Sequence, residues 1–149
     1  MSDTIDNWMV PGREQLVAAC RGLPHDDHPM LEAAGELAQL HVLRERTPGY
    51  EMAKLDRRRV QLIRSIDRWM TLATPVPGGG RPNSETVGGM VDRLAQLIAQ
   101  ACVPLAAAPD SVFHDVWSQV VDLAERYQDL VDALQAGTRE VPDGVQHPL

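Results

Sequence analysis

Apolar residues recur at steps of three and four along most of this chain, with polar residues between them. Val87, Val91, Leu94, Ile98, Ala101 and Leu105 keep that spacing, and so do Phe113, Val116, Val120, Leu123, Tyr127, Leu130 and Leu134. Each series is the single buried stripe of an amphipathic helix. Met52, Leu55, Leu62, Ile66, Trp69 and Ala73 mark a third stripe, and Ala34 and Leu37 begin a fourth. No alternation of strand type competes with them.

Proline and glycine clusters divide these stripes into elements. A short helix is predicted after Pro11, from Arg13 to Arg21, and "GLPHDDHP" (Gly22 to Pro29) breaks it. The next helix runs from about Met30 to Arg46, and a third from near Gly49 to about Ala73. "TPVPGGGRPN" (Thr74 to Asn83) reads as a flexible loop. Ser84 caps a fourth helix running toward Leu105, and Asp110 or Ser111 caps a fifth that reaches about Ala136. Residues 1–12 and 137–149 are expected to be loose tails. The expected fold is all-α: one domain over 1–149, an up-and-down bundle of four long helices plus a short N-terminal helix.

Polar residues interrupt two of the stripes. In "RRRVQLIRSIDRW" (Arg57 to Trp69), Arg57 and Arg58 fall off the stripe and are expected to face solvent, whereas Arg59 falls on it. An arginine among core positions either snorkels to the rim or meets a carboxylate or an anionic ligand. His41 follows Ala34 and Leu37 on the second helix, as a hydrogen-bonded structural residue or an acid–base group. On the fourth helix Glu85, Gly89, Asp92 and Gln96 share one face. Gly88 and Gly89 cost about 1 kcal/mol each inside a helix, which implies close helix packing or room for a ligand. Glu85 also suits the first helical turn as a capping carboxylate.

The formal net charge of the 149-residue chain is −7, which argues against non-specific nucleic-acid binding and against docking on an anionic membrane. No apolar run approaches the ~20 residues that span a bilayer, and "MSDTIDNWMV" lacks the pattern of a signal peptide. Two cysteines, Cys20 and Cys102, are too few for a disulfide framework, and a reduced cytoplasm is the expected setting. Thirteen arginines against one lysine suggest a GC-rich, actinobacterial type of genome.

Charge is segregated. Lys54 to Arg68 carries six cations and two anions, and Asp110 to Ala136 carries six anions and one cation. These helices are expected either to pair with each other or to offer opposite charges to a partner. Asp122, Glu125, Asp129 and Asp132 form one row opposite an apolar stripe. Such a row is a solvated face unless a second helix adds the carboxylates that a hard cation needs. His25 and His28 lack a second ligand pair, no Glu-x-x-His is present, and Gly78 to Gly80 lacks the lysine of a phosphate loop. No metal and no cofactor are expected.

"RVQLIRSID" (Arg59 to Asp67) followed by "SETVGGMVDRLA" (Ser84 to Ala95) resembles the bacterial domain of unknown function 4254 family. The resemblance covers about residues 37–105. It is carried by Arg59, Ile66 and Asp67 in the first segment and by Glu85, Thr86, Gly88, Asp92, Arg93 and Leu94 in the second. Of the family's earlier aromatic, histidine and acidic positions, only His41 is matched. The resemblance implies a helical protein and supplies no activity.

Two functions are therefore expected of such a chain. The first, with the other as its alternative, is a small interaction or accessory subunit, homodimeric or partnered with a biosynthetic enzyme in a bacterial pathway. The other is a small-molecule enzyme or binding protein with a polar pocket between helices. There His41, Arg59 and Asp92 are the candidate catalytic residues, and Arg59, Glu85, Arg93 and Gln96 the candidate ligand-binding residues, with a small anionic metabolite as ligand. The feature that separates the two is whether Arg59, His41 and Asp92 converge on one cavity.

Overall fold

A computed structural model describes residues 10–73, 86–102 and 110–144, with side chains described over 10–73, 86–101 and 112–136. The expectations placed on 1–9, 74–85, 103–109 and 145–149, including the Thr74–Asn83 loop, the Ser84 cap, Glu85 and Leu105, lie outside the described residues. The described residues form an all-α helical bundle: α1 (Arg13–Cys20), α2 (Pro29–Arg44), α3 (Met52–Ala73), α4 (Val87–Cys102) and α5 (Asp110–Gly144). A 3₁₀ turn (Gly49–Glu51) leads into α3.

Local chemistry sets the ends of the first two helices. After α1 the chain turns at Gly22, whose φ of 80° lies in the left-handed region open to glycine. There the Gly22 N–H donates to the Ala19 carbonyl and the Leu23 N–H to the Ala18 carbonyl, both at 3.0 Å. These two bonds satisfy carbonyls that the end of α1 leaves over. α2 begins with Pro29 at its first helical position, and the His28 side chain caps it by accepting the Met30 N–H at 3.0 Å. His28 also meets the edge of Trp69, with centroids 4.6 Å apart, so this loop histidine is a cap that braces α2 on α3.

The core forms where the stripes meet. Leu16 of α1, Leu37 of α2, Ile66 of α3, Leu94 and Ile98 of α4 and Leu123 of α5 are all fully buried. Burying each such side chain stabilises by about 1.5–3 kcal/mol. Each helix packs on the next in sequence, and α4 also touches α1 and α2, so it contacts all four of the others. α3 and α5 flank α4 without touching each other among the described residues.

Four expectations are corrected. The N-terminal tail is tied down from Val10 onward: Pro11 is buried, and its carbonyl accepts the Tyr127 hydroxyl at 2.7 Å. α5 does not stop at Ala136 but continues through Gly137 and Pro142 to Gly144. A glycine inside a helix costs only about 1 kcal/mol, and the helix formers Arg139 and Glu140 follow directly. α2 in turn ends at Arg44, two residues early, where the Thr47 hydroxyl turns back onto the Leu43 carbonyl at 2.7 Å. Phe113, expected on the buried stripe of α5, is exposed and stacks on Trp117 with centroids 6.1 Å apart.

Candidate functional site

The two polar interruptions meet a third group. Ala34, Leu37 and His41 hold one face of α2 against α4, and Leu55, Arg59 and Leu62 do the same from α3. Asp92 lies between them, in the second turn of α4, with Val91 and Leu94 fully buried on either side. Asp92 is 2% exposed. Arg59 Nε donates to both carboxylate oxygens at 3.1 Å, and its Nη2 donates to Oδ2 at 2.7 Å. His41 Nε2 lies 2.8 Å from Oδ1. One carboxylate thus accepts from two helices, which a buried charge requires.

Electrostatics follow from this placement. Burial alone would raise the Asp92 carboxyl. The hydrogen bonds from His41 and Arg59, together with their charges, outweigh burial and hold it below the usual carboxylate range. Arg59 is pushed up by its hydrogen bond to Asp92, against the partial desolvation of a side chain that keeps 33% of its exposure. An ionised carboxylate can only accept, so the His41 Nε2 must carry the hydrogen. In the neutral ring Nδ1 then holds the lone pair, and it has no hydrogen-bond partner among the described residues.

His41 is also part of the wall of a cleft of about 570 Å³ at the junction of α2, α4 and the starts of α3 and α5. Arg44, Met52, Gln96, Gln100 and Val116 contribute other parts of that wall. Neither Asp92 nor Arg59 is among the described lining residues, so the carboxylate stands behind the imidazole and Arg59 is engaged by Asp92 instead of by the cleft. Arg44 makes a looser pair with Asp56, at 3.5 Å.

Sequence reasoning placed His41, Arg59 and Asp92 as candidates; the structure brings all three into one hydrogen-bonded cluster, but of the three His41 alone is among the described residues lining the cleft. Gln96 reaches the cleft, one turn beyond Asp92 on the same face of α4. Arg93 is exposed and does not line it. Glu85 lies outside the described residues. The candidates that sequence reasoning missed are Gln100, Arg44 and Met52. The Asp92–Gln96 face extends by four residues to Gln100, a visible signal; Arg44 and Met52 reach the cleft only because a turn brings the end of α2 beside the start of α3.

A second junction of α3 and α4 braces the cluster. Asp67 Oδ1 accepts the Gly88 N–H at 2.7 Å, so an α3 side chain caps the first turn of α4. A Cβ at Gly88 would stand 2.5 Å from the Ile63 carbonyl oxygen and 2.8 Å from Asp67 Oδ1. Close helix packing is therefore the reason for this glycine. Arg58, expected in solvent, is exposed but grips Glu36 of α2 with two bonds, Nε to Oε2 at 2.5 Å and Nη2 to Oε1 at 2.9 Å. Arg57 is exposed, as expected.

Among the described residues no group of three or more His, Cys, Asp or Glu side chains is placed to hold a metal ion. Asp122, Glu125, Asp129 and Asp132 are all exposed. Cys20 is buried, with its Sγ 3.8 Å from the Ala34 carbonyl. No helix among the described residues is long and apolar enough to cross a membrane. No family model matches the chain, and neither a curated protein nor a solved structure matches it. The family resemblance therefore rests on the residues of the two quoted segments.

Proposed function

We propose that this chain is a small-molecule enzyme or binding protein in which His41 handles a proton at the cleft. The observation that carries this reading is the buried His41–Asp92 contact at 2.8 Å, with His41 also among the residues that line the cleft. A carboxylate behind a histidine fixes its tautomer and orientation and stabilises the cation formed when it takes up a proton. Arg59 keeps that carboxylate ionised, so its role is positioning and not the anion clamping that sequence reasoning allowed. Gln96 and Gln100 supply amides to orient a polar ligand, and Met52 and Val116 supply apolar wall. The family resemblance and a bacterial cytoplasmic setting belong to the same proposal.

The test uses the purified protein and the small-molecule fraction of a bacterial extract, followed by mass spectrometry. The native chain is expected to enrich or transform at least one component, and folded His41→Gln to lose that action. No component enriched or transformed, or equal action by folded His41→Gln, overturns the reading. The second reading, an accessory subunit working beside a biosynthetic enzyme in an actinobacterial type of host, is favoured by the charged faces of α3 and α5.

A further inference from the structure

Lys54, Arg57, Arg64 and Arg68 lie at helical spacing on one face of α3, with Gln61 completing the series, and all five are exposed. None of these cations makes an ion pair with another described residue. On α5, Asp115, Asp122, Glu125, Asp129 and Asp132 hold one face in the same way, with Ser118 completing it, and all six are exposed. Among the described residues their carboxylates form no ion pair either; Asp132 accepts only a neutral bond from Gln128 at 2.9 Å. Arg126 is the one Lys or Arg among the described side chains of this helix, beside that row.

The two rows are similar in length. Lys54 to Arg68 spans about 21 Å of helix and Asp115 to Asp132 about 25 Å, at 1.5 Å per residue. An exposed valine stands beside each row, Val60 on α3 and Val121 on α5. Because α3 and α5 do not touch, these opposite charges do not neutralise each other within the chain. We infer that two copies associate by docking the basic face of α3 of each copy on the acidic face of α5 of the other. A two-fold axis makes both contacts at once, so the same local complementarity is used twice. It acts at short range, whereas the repulsion between two copies of net charge −7 is spread over their surfaces and screened by salt.

The experiment is sedimentation of the full chain over a range of salt, with two charge-reversed variants. A dimer is expected at low salt, with a dissociation constant that rises about tenfold or more by high salt. Arg64→Glu with Arg68→Glu puts acid against acid, and Asp122→Arg with Glu125→Arg puts base against base. Each variant alone is expected to be monomeric with an unchanged helical spectrum. Mixed in equal amounts, the two variants regain both complementary contacts, and a mixed dimer is expected. A monomer at every salt concentration, a dimer indifferent to salt, or a mixture that stays monomeric overturns the inference. These reversals leave the His41 cleft untouched, so a failure here is distinct from a failure of the proposed function.

Discussion

Asp92→Asn is the sharpest perturbation of the buried cluster, because it removes one charge while keeping shape. The carboxylate accepts from His41 at 2.8 Å and from Arg59 at 2.7 and 3.1 Å. An amide in its place can accept from one of these partners, but its NH₂ then faces the other donor. A hydrogen bond to a charged group contributes about 1.5–3 kcal/mol, and stripping one member from a buried pair costs about 3–5 kcal/mol. Arg59 keeps 33% of its exposure and can turn partly to water, so the lower end applies, and about 2–3 kcal/mol is expected. In an Arg59→Met background the stranded cation is gone, and the same change should cost only about 1 kcal/mol. The assay is urea unfolding of the native chain, both single variants and the double variant, followed by circular dichroism, with the slope against urea checked for constancy. A coupling energy of about 1–2 kcal/mol is the expected result. A coupling within about 0.5 kcal/mol of zero would refute the view that Asp92 is held ionised by Arg59.

The same carboxylate fixes a pH dependence. Its folded-state pKa lies below the ordinary value near 3.8, so in acid the unfolded chain binds the proton first and stability falls as pH falls. The contribution is complete above the unfolded pKa and gone below the folded one. The stability gap between the native chain and Asp92→Asn should therefore narrow as pH falls through that acid window; a gap that widens there contradicts the assignment. Gly88→Ala should lower stability by about 1–3 kcal/mol despite the better helix propensity of alanine, because its Cβ meets backbone at 2.5 Å. Thermal unfolding beside Gly49→Ala, where a Cβ has open space, checks this, and an equal shift for both would show that α3 and α4 pack less closely.

Much of the cluster was legible because helical periodicity makes a polar residue on an apolar stripe conspicuous. Arg59 and His41 stood out in this way, and Asp92 stood out because it lies past the turn where a carboxylate merely caps. What the stripes could not supply was the choice of neighbours. Periodicity names the face of a helix that is buried, but not which other helix covers it, so the pairing of Arg59 with Asp92 came only from the structure. The grip of Arg58 on Glu36 escaped for a related reason: an exposed position still touches another element when its side chain is long. Gly88 was flagged by its cost, but the capping role of its partner Asp67 was not, since a cap from a different helix leaves no local pattern. Gly137 was over-read as a stop, because glycine weakens a helix without ending it.

The central position of α4 has a bearing on synthesis. His41 and Arg59 belong to helices that leave the ribosome before α4, whereas the carboxylate joining them arrives on the one helix that touches all the others. Until then Arg59 lacks its carboxylate, and the partial chain lacks the surface on which α1, α2 and α3 close. The cluster is thus completed when α4 arrives, and the core only when α5 adds Leu123 and Tyr127. A nascent chain stalled before α4 would hold a basic, apolar face open to chaperones, and in the finished protein any motion large enough to free Asp92 must also loosen the whole bundle.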